Sequence, residues 1–215
     1  MSPREKQEFC SLMAVLFSPP EREVVENEYP DRISSLLKDY TETCGEGPGK
    51  QTAFRMKGGG VPSFSDLKNE YERLFANPAG NSVPLCESCY KPWTCDPGCH
   101  LAFAGGKGLL MGDSALHMQA LFRDIGWQLP EEFRASPDHL AVELAFLSAL
   151  YGRATEIETG QFISDHLDWI AQLKQKLIRV EAQPFYLSAV ESLDFFLNQE
   201  RKDRERKENG KKSLH

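Results

Sequence analysis

The chain lacks any long apolar run. Its most hydrophobic short stretch, residues 12–17, falls far below the roughly 20 residues that a membrane span requires. It also lacks the alternation of apolar and polar residues that marks strands, and no segment repeats elsewhere in the sequence. Residues 1–8 carry mixed charge and run straight into an amphipathic pattern, unlike a secretory signal, so a cytoplasmic protein with no membrane insertion is expected. Positive charge is in deficit: 25 Lys and Arg stand against 32 Asp and Glu, a net charge of −7 over 215 residues. Residues 200–212 hold seven basic and four acidic side chains, a local +3, which leaves −10 on the rest. An acidic body excludes a nucleic-acid groove and favours cations or basic peptides as partners.

Signatures of catalysis are missing as well. Gly105-Gly106-Lys107-Gly108 is not a phosphate-binding loop. Leu101 stands where the first glycine belongs, and Gly108 replaces the hydroxyl that would hold magnesium. No Gly-x-Ser-x-Gly elbow and no His-Glu-x-x-His pair occurs. A non-enzyme is the expectation.

Helical spacing of apolar residues is what the chain has in abundance. Phe9, Leu12, Met13, Leu16 and Phe17 form one stripe, stopped by Pro19-Pro20. Val25, Ile33, Leu36, Leu37 and Tyr40 suggest a second helical region broken at Pro30, and the Gly/Pro-rich stretch 45–62 reads as a loop. Phe64, Leu67, Tyr71, Leu74 and Phe75 mark a third helix that ends at Asn77-Pro78. Leu116, Met118, Leu121, Phe122 and Ile125 mark another that Gly126 ends. Ser136-Pro137 predicts a helix start, with Ser136 as cap and Pro137 in the first turn. The segment beyond it is apolar on nearly every side and should be central. Ile163, Leu167, Ile170, Leu173 and Leu177 form one more stripe, and Tyr186, Val190, Leu193 and Leu197 the last.

These patterns predict an all-α fold of about seven helices. Residues 1–199 form the helical domain. It contains a long irregular Cys-rich loop at 76–112 and a hinge at 127–135 that would permit two subdomains and domain exchange, as monomer or dimer. Residues 200–215 form a charged flexible tail.

Four of the six cysteines fall in that loop, as Cys86-x2-Cys89-x5-Cys95-x3-Cys99. Four thiolates complete a tetrahedral zinc site or hold an iron–sulfur cluster, and the first pair has the spacing usual for zinc. Four reduced thiols in a loop is the plainer alternative, and no βαβ pattern supports a redox dithiol at Cys86 and Cys89. With no open ligand position in view, a metal here would clip the loop rather than catalyse. Elsewhere, Met111-Gly112-Asp113-Ser114 reads as a turn feeding a helix, and Asp113 and His117 could share its face. Asp165, His166 and Asp168 read as a solvated face. His139, beside Asp138, either caps and packs or binds a ligand.

Several segments, in this order, resemble the TorD/DmsD/NarJ family of cytoplasmic molybdoenzyme chaperones. Residues 9–20 resemble its first helix and Pro-Pro stop. Tyr71-Glu72-Arg73-Leu74-Phe75 followed by Asn77-Pro78 is similar to its Tyr-x-x-Leu-Phe-x-x-Pro segment. Residues 83–90 resemble a Pro-rich stretch ending in Glu-Ser-Val-Tyr, Gly112-Asp113-Ser114 a helix start, and Ser136-Pro137-Asp138-His139-Leu140 with Glu143-Leu144 the Asp-His helix start. Cys86, Cys89 and the lengthened loop that holds Cys95 and Cys99 depart from the family, as does the 45–62 stretch.

The resemblance implies a chaperone that binds the twin-arginine leader or a nearby segment of an apo-molybdoenzyme catalytic subunit, assists cofactor insertion and delays export. It requires no cofactor of its own, although some of the family bind guanine nucleotide weakly. Ser88, Tyr90, Asp138 and His139 sit on matched motif positions as peptide-binding candidates. Glu87, Trp93, Asp113 and Leu140 are added from their place in the sequence, and Tyr71 is a further groove candidate for which core packing is the plainer reading. A metal- or redox-responsive Cys loop is the alternative function.

Overall fold

The computed structural model describes residues 1–27, 62–76 and 82–212. The helical region expected at 33–40, the loop expected through residue 61 and the Asn77-Pro78 stop lie outside the described residues. The architecture is all-α, as expected, with eight α-helices among the described residues: α1 (Pro3–Leu16), α2 (Arg22–Asn27), α3 (Phe64–Tyr71), α4 (Asp113–Ile125), α5 (Leu140–Arg153), α6 (Glu156–His166), α7 (Ile170–Arg179) and α8 (Pro184–Lys212). The only β pairing among the described residues is a single antiparallel bridge between Cys86 and His139. No helix among the described residues is long and apolar enough to cross a membrane.

Local chemistry sets the helix ends. Ser2 and Glu5 form a capping box ahead of Pro3 in α1, and Thr155 and Glu158 form another at α6. Gly126 closes α4 at φ 68°, a left-handed conformation that glycine adopts without a steric penalty. Glu70 at the end of α3 accepts a hydrogen bond from the Gln183 backbone N–H at 2.8 Å and pairs with Arg73, tying α3 to the start of α8.

α5 is the central helix, as its all-round apolar sequence predicts. It packs along α1, where Ser148 donates to the Gln7 carbonyl at 2.9 Å. Its other neighbours carry Phe122, Trp127 and Phe162, which meet Phe146 with ring centroids 5.1–5.5 Å apart. α8 closes the opposite side through Phe196, whose ring lies 4.5 Å from Phe9. Tyr71 packs against Phe75 and Tyr186 in this core.

Three expectations are corrected. The 163–177 stripe is two helices: α6 ends at His166 and α7 begins at Ile170, with Leu167 and Trp169 buried in the corner. The apolar period continues through the corner because both arms bury the same side. Residues 200–212 continue α8 as helix rather than forming a separate tail. Their first turns are tied down: Glu200 pairs with Lys6 and accepts from the Tyr151 hydroxyl, Arg201 donates to the Leu167 carbonyl, and Lys207 pairs with Glu156.

The third correction concerns the central helix start. α5 begins at Leu140 with His139 as its cap, not at Ser136. The backbone there is already engaged. Glu87 N–H donates to the Asp138 carbonyl at 3.0 Å and Leu140 N–H to the Leu85 carbonyl at 2.7 Å, so this short extended pairing precedes the helix.

Candidate functional site

The segments singled out in the sequence meet in space. Ser88, in the short 3-10 turn Glu87–Cys89, is the meeting point. Its backbone N–H donates to Asp138 Oδ2 at 2.7 Å, its hydroxyl donates to the same oxygen, and that hydroxyl accepts from Gly112 N–H at 3.3 Å. The loop, the start of α4 and the start of α5 are thus joined through one serine. Gly112 is required there, because a Cβ on it would lie 2.6 Å from the Trp93 carbonyl oxygen.

Most of the candidate peptide contacts prove to be interior. Glu87, Asp138 and Leu140 are fully buried, and Ser88 and Tyr90 nearly so. Tyr90 donates to the Pro84 carbonyl at 2.8 Å, and its ring lies 4.7 Å from that of Trp169. These five hold the site together and present no surface to a ligand. Trp93, half-buried, donates to the Leu110 carbonyl and meets Phe103 edge-on. Asp113, exposed, accepts from Thr94 Oγ1 at 3.0 Å and Cys95 N–H at 2.8 Å, which anchors the Cys loop. His139 is half-buried. Its Nδ1 accepts from Ala141 N–H at 3.2 Å, and its ring lies 4.9 Å from that of Phe133. Burial lowers its pKa to about 4, so the neutral ring is the capping form.

The four thiols at 86–99 do not come together as metal ligands. Cys86 and Cys89 are buried in the hydrophobic core, and Cys95 is exposed. Burial raises the pKa of both buried thiols, against the thiolate form that a metal needs. The Cys loop is held by its own backbone instead: Trp93 N–H donates to the Gly106 carbonyl, Thr94 N–H to Ala104 and Gly108 N–H to Cys89.

Sequence reasoning missed the polar cluster behind Ser88. Glu87 Oε2 accepts from His166 Nδ1 at 2.8 Å, and His166 Nε2 lies 2.8 Å from His117 Nδ1. Lys91 bridges Glu87 Oε1 at 2.5 Å and Asp168 at 2.6 Å. Burial pushes the Glu87 pKa up, but His166, Glu143 and Lys91 outweigh it and hold the carboxyl below its usual range. Glu143 is fully buried and its pKa is raised, first by burial and then by Glu87 beside it. His166 is therefore interior and not part of a solvated face. The available signal was Glu143 itself, the one charged residue in the apolar stretch from Leu140 to Tyr151.

Next to His139 and Phe133 runs an apolar groove of about 610 Å³. α1 contributes Ser11, Ala14 and Val15 and the turn after it Ser18, α5 contributes Ala141, Val142, Ala145 and Ser148, and Trp127 to Pro130 with Phe133 form the third wall. Glu131 and Glu132, in the same connector as Phe133, are exposed.

Fold and site together define an all-α protein with a buried polar cluster and an adjoining apolar groove. The chain belongs to the nitrate reductase delta subunit family, whose family model matches residues 50–183. This bears out the TorD/DmsD/NarJ resemblance. The chain is 32% identical over 106 residues to the chaperone protein TorD of Vibrio parahaemolyticus, a match covering 44% of this chain and 49% of that one. To the TorD of Shewanella piezotolerans it is 27% identical over 124 residues, covering 57% and 55%. The chain thus spans about half the length of the curated relatives it matches. A solved structure of a candidate redox enzyme maturation protein from Archaeoglobus fulgidus aligns over 93% of both chains, at 20% identity and a TM-score of 0.48.

Proposed function

We propose that the protein is a non-catalytic chaperone of molybdoenzyme maturation. It binds the twin-arginine leader or a nearby segment of an apo-molybdoenzyme catalytic subunit in the cytoplasm, assists cofactor insertion and delays export until the cofactor is in place. Family membership supports the class of function, and the groove between α1, the 127–133 connector and α5 is the observation that carries the mode of binding. A leader has a cationic end and an apolar stretch that can form a helix. An apolar groove with the Glu131 and Glu132 carboxylates on the same connector matches both parts. His139 serves this reading indirectly, by packing on Phe133, which lines the groove.

The test is calorimetric titration of a synthetic twin-arginine leader into the folded protein. Ala145→Trp fills the groove and should weaken binding at least about tenfold, about 1.4 kcal/mol. Glu131→Lys with Glu132→Lys should weaken it several-fold at low salt and less at high salt. Unchanged affinity in a helical, folded Ala145→Trp protein would remove the groove from the proposal.

A further inference from the structure

Three ligating side chains converge from three elements in the polar cluster behind Ser88. Glu87 of the 3-10 turn, Glu143 of α5 and His166 at the end of α6 each place a ligand atom within 4.8 Å of the other two. Glu87 and Glu143 are 0% exposed and His166 is 2% exposed. Glu143 is the telling member. Neither of its oxygens faces a hydrogen-bond donor. Its polar neighbour is the Glu87 carboxyl, which can be a partner only if a proton sits between the two. A carboxylate in that position needs a counter-cation or a proton.

We propose that Glu87, Glu143 and His166 form a binding site for one divalent transition-metal ion of the zinc class. Two carboxylate oxygens and one imidazole nitrogen suit such a borderline cation, with water completing the set, whereas calcium and magnesium favour oxygen alone. The 2.8 Å between His166 Nδ1 and Glu87 Oε2 places two donors side by side. Lys91 occupies the other oxygen of Glu87, Oε1, which leaves Oε2 for the ion. His117 meets the far nitrogen of His166 at 2.8 Å, the outer partner that fixes a ligating ring. His117 is exposed, so the cluster reaches solvent through it. A dication here takes the place of the proton that Glu143 otherwise holds, and the His166 proton then sits on Nε2, donated to His117 Nδ1, so that Nδ1 is free to ligate. The site uses none of the four loop cysteines and is independent of the peptide-binding reading.

The experiment uses the full chain, stripped with a chelator, exposed to zinc alone and dialysed. Bound zinc is then counted, and the thermal midpoint is compared with and without zinc. Wild type should keep about one equivalent and gain stability from it. Cys95→Ser with Cys99→Ser should behave like wild type. Glu143→Gln keeps the packing and removes the buried charge. It should remain folded, lose the bound zinc and show no zinc-dependent shift. His166→Gln is the second variant, read the same way should the first lose helicity. Wild type without retained zinc overturns the proposal and leaves a proton-sharing carboxyl pair. Full retention by both ligand variants overturns it too, as does loss of zinc in the cysteine variant.

Discussion

Asp138 shows how one side chain can look like a ligand contact while serving as a joint. Its Oδ2 takes both hydrogen bonds that Ser88 can donate, and its carbonyl takes the Glu87 N–H. Asp138→Ala strands a buried Ser88 N–H and loosens the pairing ahead of α5. A loss of about 1–3 kcal/mol in chemical denaturation is expected. An unchanged denaturation midpoint would mean that the backbone pairing alone holds this joint. The sequence made Asp138 and His139 stand out, and both do sit at the start of the central helix. It could not show that Asp138 points inward, because the residue it serves, Ser88, lies 50 positions away. Glu143 was readable in principle as a lone charge in an apolar helix. Its partners Glu87 and His166 were not, since each is unremarkable in its own segment and they meet only through tertiary packing.

Among the elements, α5 was legible and α8 was not. An apolar helix on all sides has only one place to go, the middle of the fold. The basic-acidic end of α8 has no apolar stripe, so nothing in its own sequence marks it as held. Contacts from elsewhere hold it: Glu200 sits between Lys6 of α1 and Tyr151 of α5, at 2.7 and 2.8 Å. The Glu200 and Lys6 side chains are 14% and 22% exposed, which places their pairing between a surface salt bridge and a buried one. Glu200→Gln should therefore cost about 1–2 kcal/mol of stability, measured by denaturant unfolding. A cost indistinguishable from zero would place this end of α8 on the fraying side after all. The α6–α7 corner was hidden for the opposite reason. Its apolar spacing is continuous, and only the burial of Trp169, whose indole N–H donates to the His166 carbonyl at 2.8 Å, turns the chain.

Across the whole molecule, buried titratable groups shape stability against pH from both ends. Burial lowers the folded pKa of His139 to about 4, against the ordinary histidine value of 6.5. Between those values the unfolded chain takes up a proton that the folded one refuses. The stability tied to the neutral ring is complete above about pH 6.5. It falls by up to about 1.4 kcal/mol per unit as the pH drops towards 4. Protonation also removes the Nδ1 acceptor that caps α5. Glu143 acts in the other direction. In metal-free protein its raised pKa makes the folded chain hold a proton that the unfolded chain releases, so its penalty is absent at low pH and grows as the pH rises above 4.5. Between about pH 4.5 and 6.5 the two contributions oppose each other, so folding stability of the metal-free protein, measured by denaturant titration across pH 4 to 8, should be nearly level there and decline above pH 6.5. In His139→Gln the amide oxygen can still accept the Ala141 N–H, but the opposing slope is gone, so stability should rise as the pH falls from 6.5 to 4.5 while the alkaline side is unchanged. If wild type and His139→Gln instead run in parallel below pH 6.5, the ring is solvated enough to hold its proton in the folded state, and the levelling would belong to other groups.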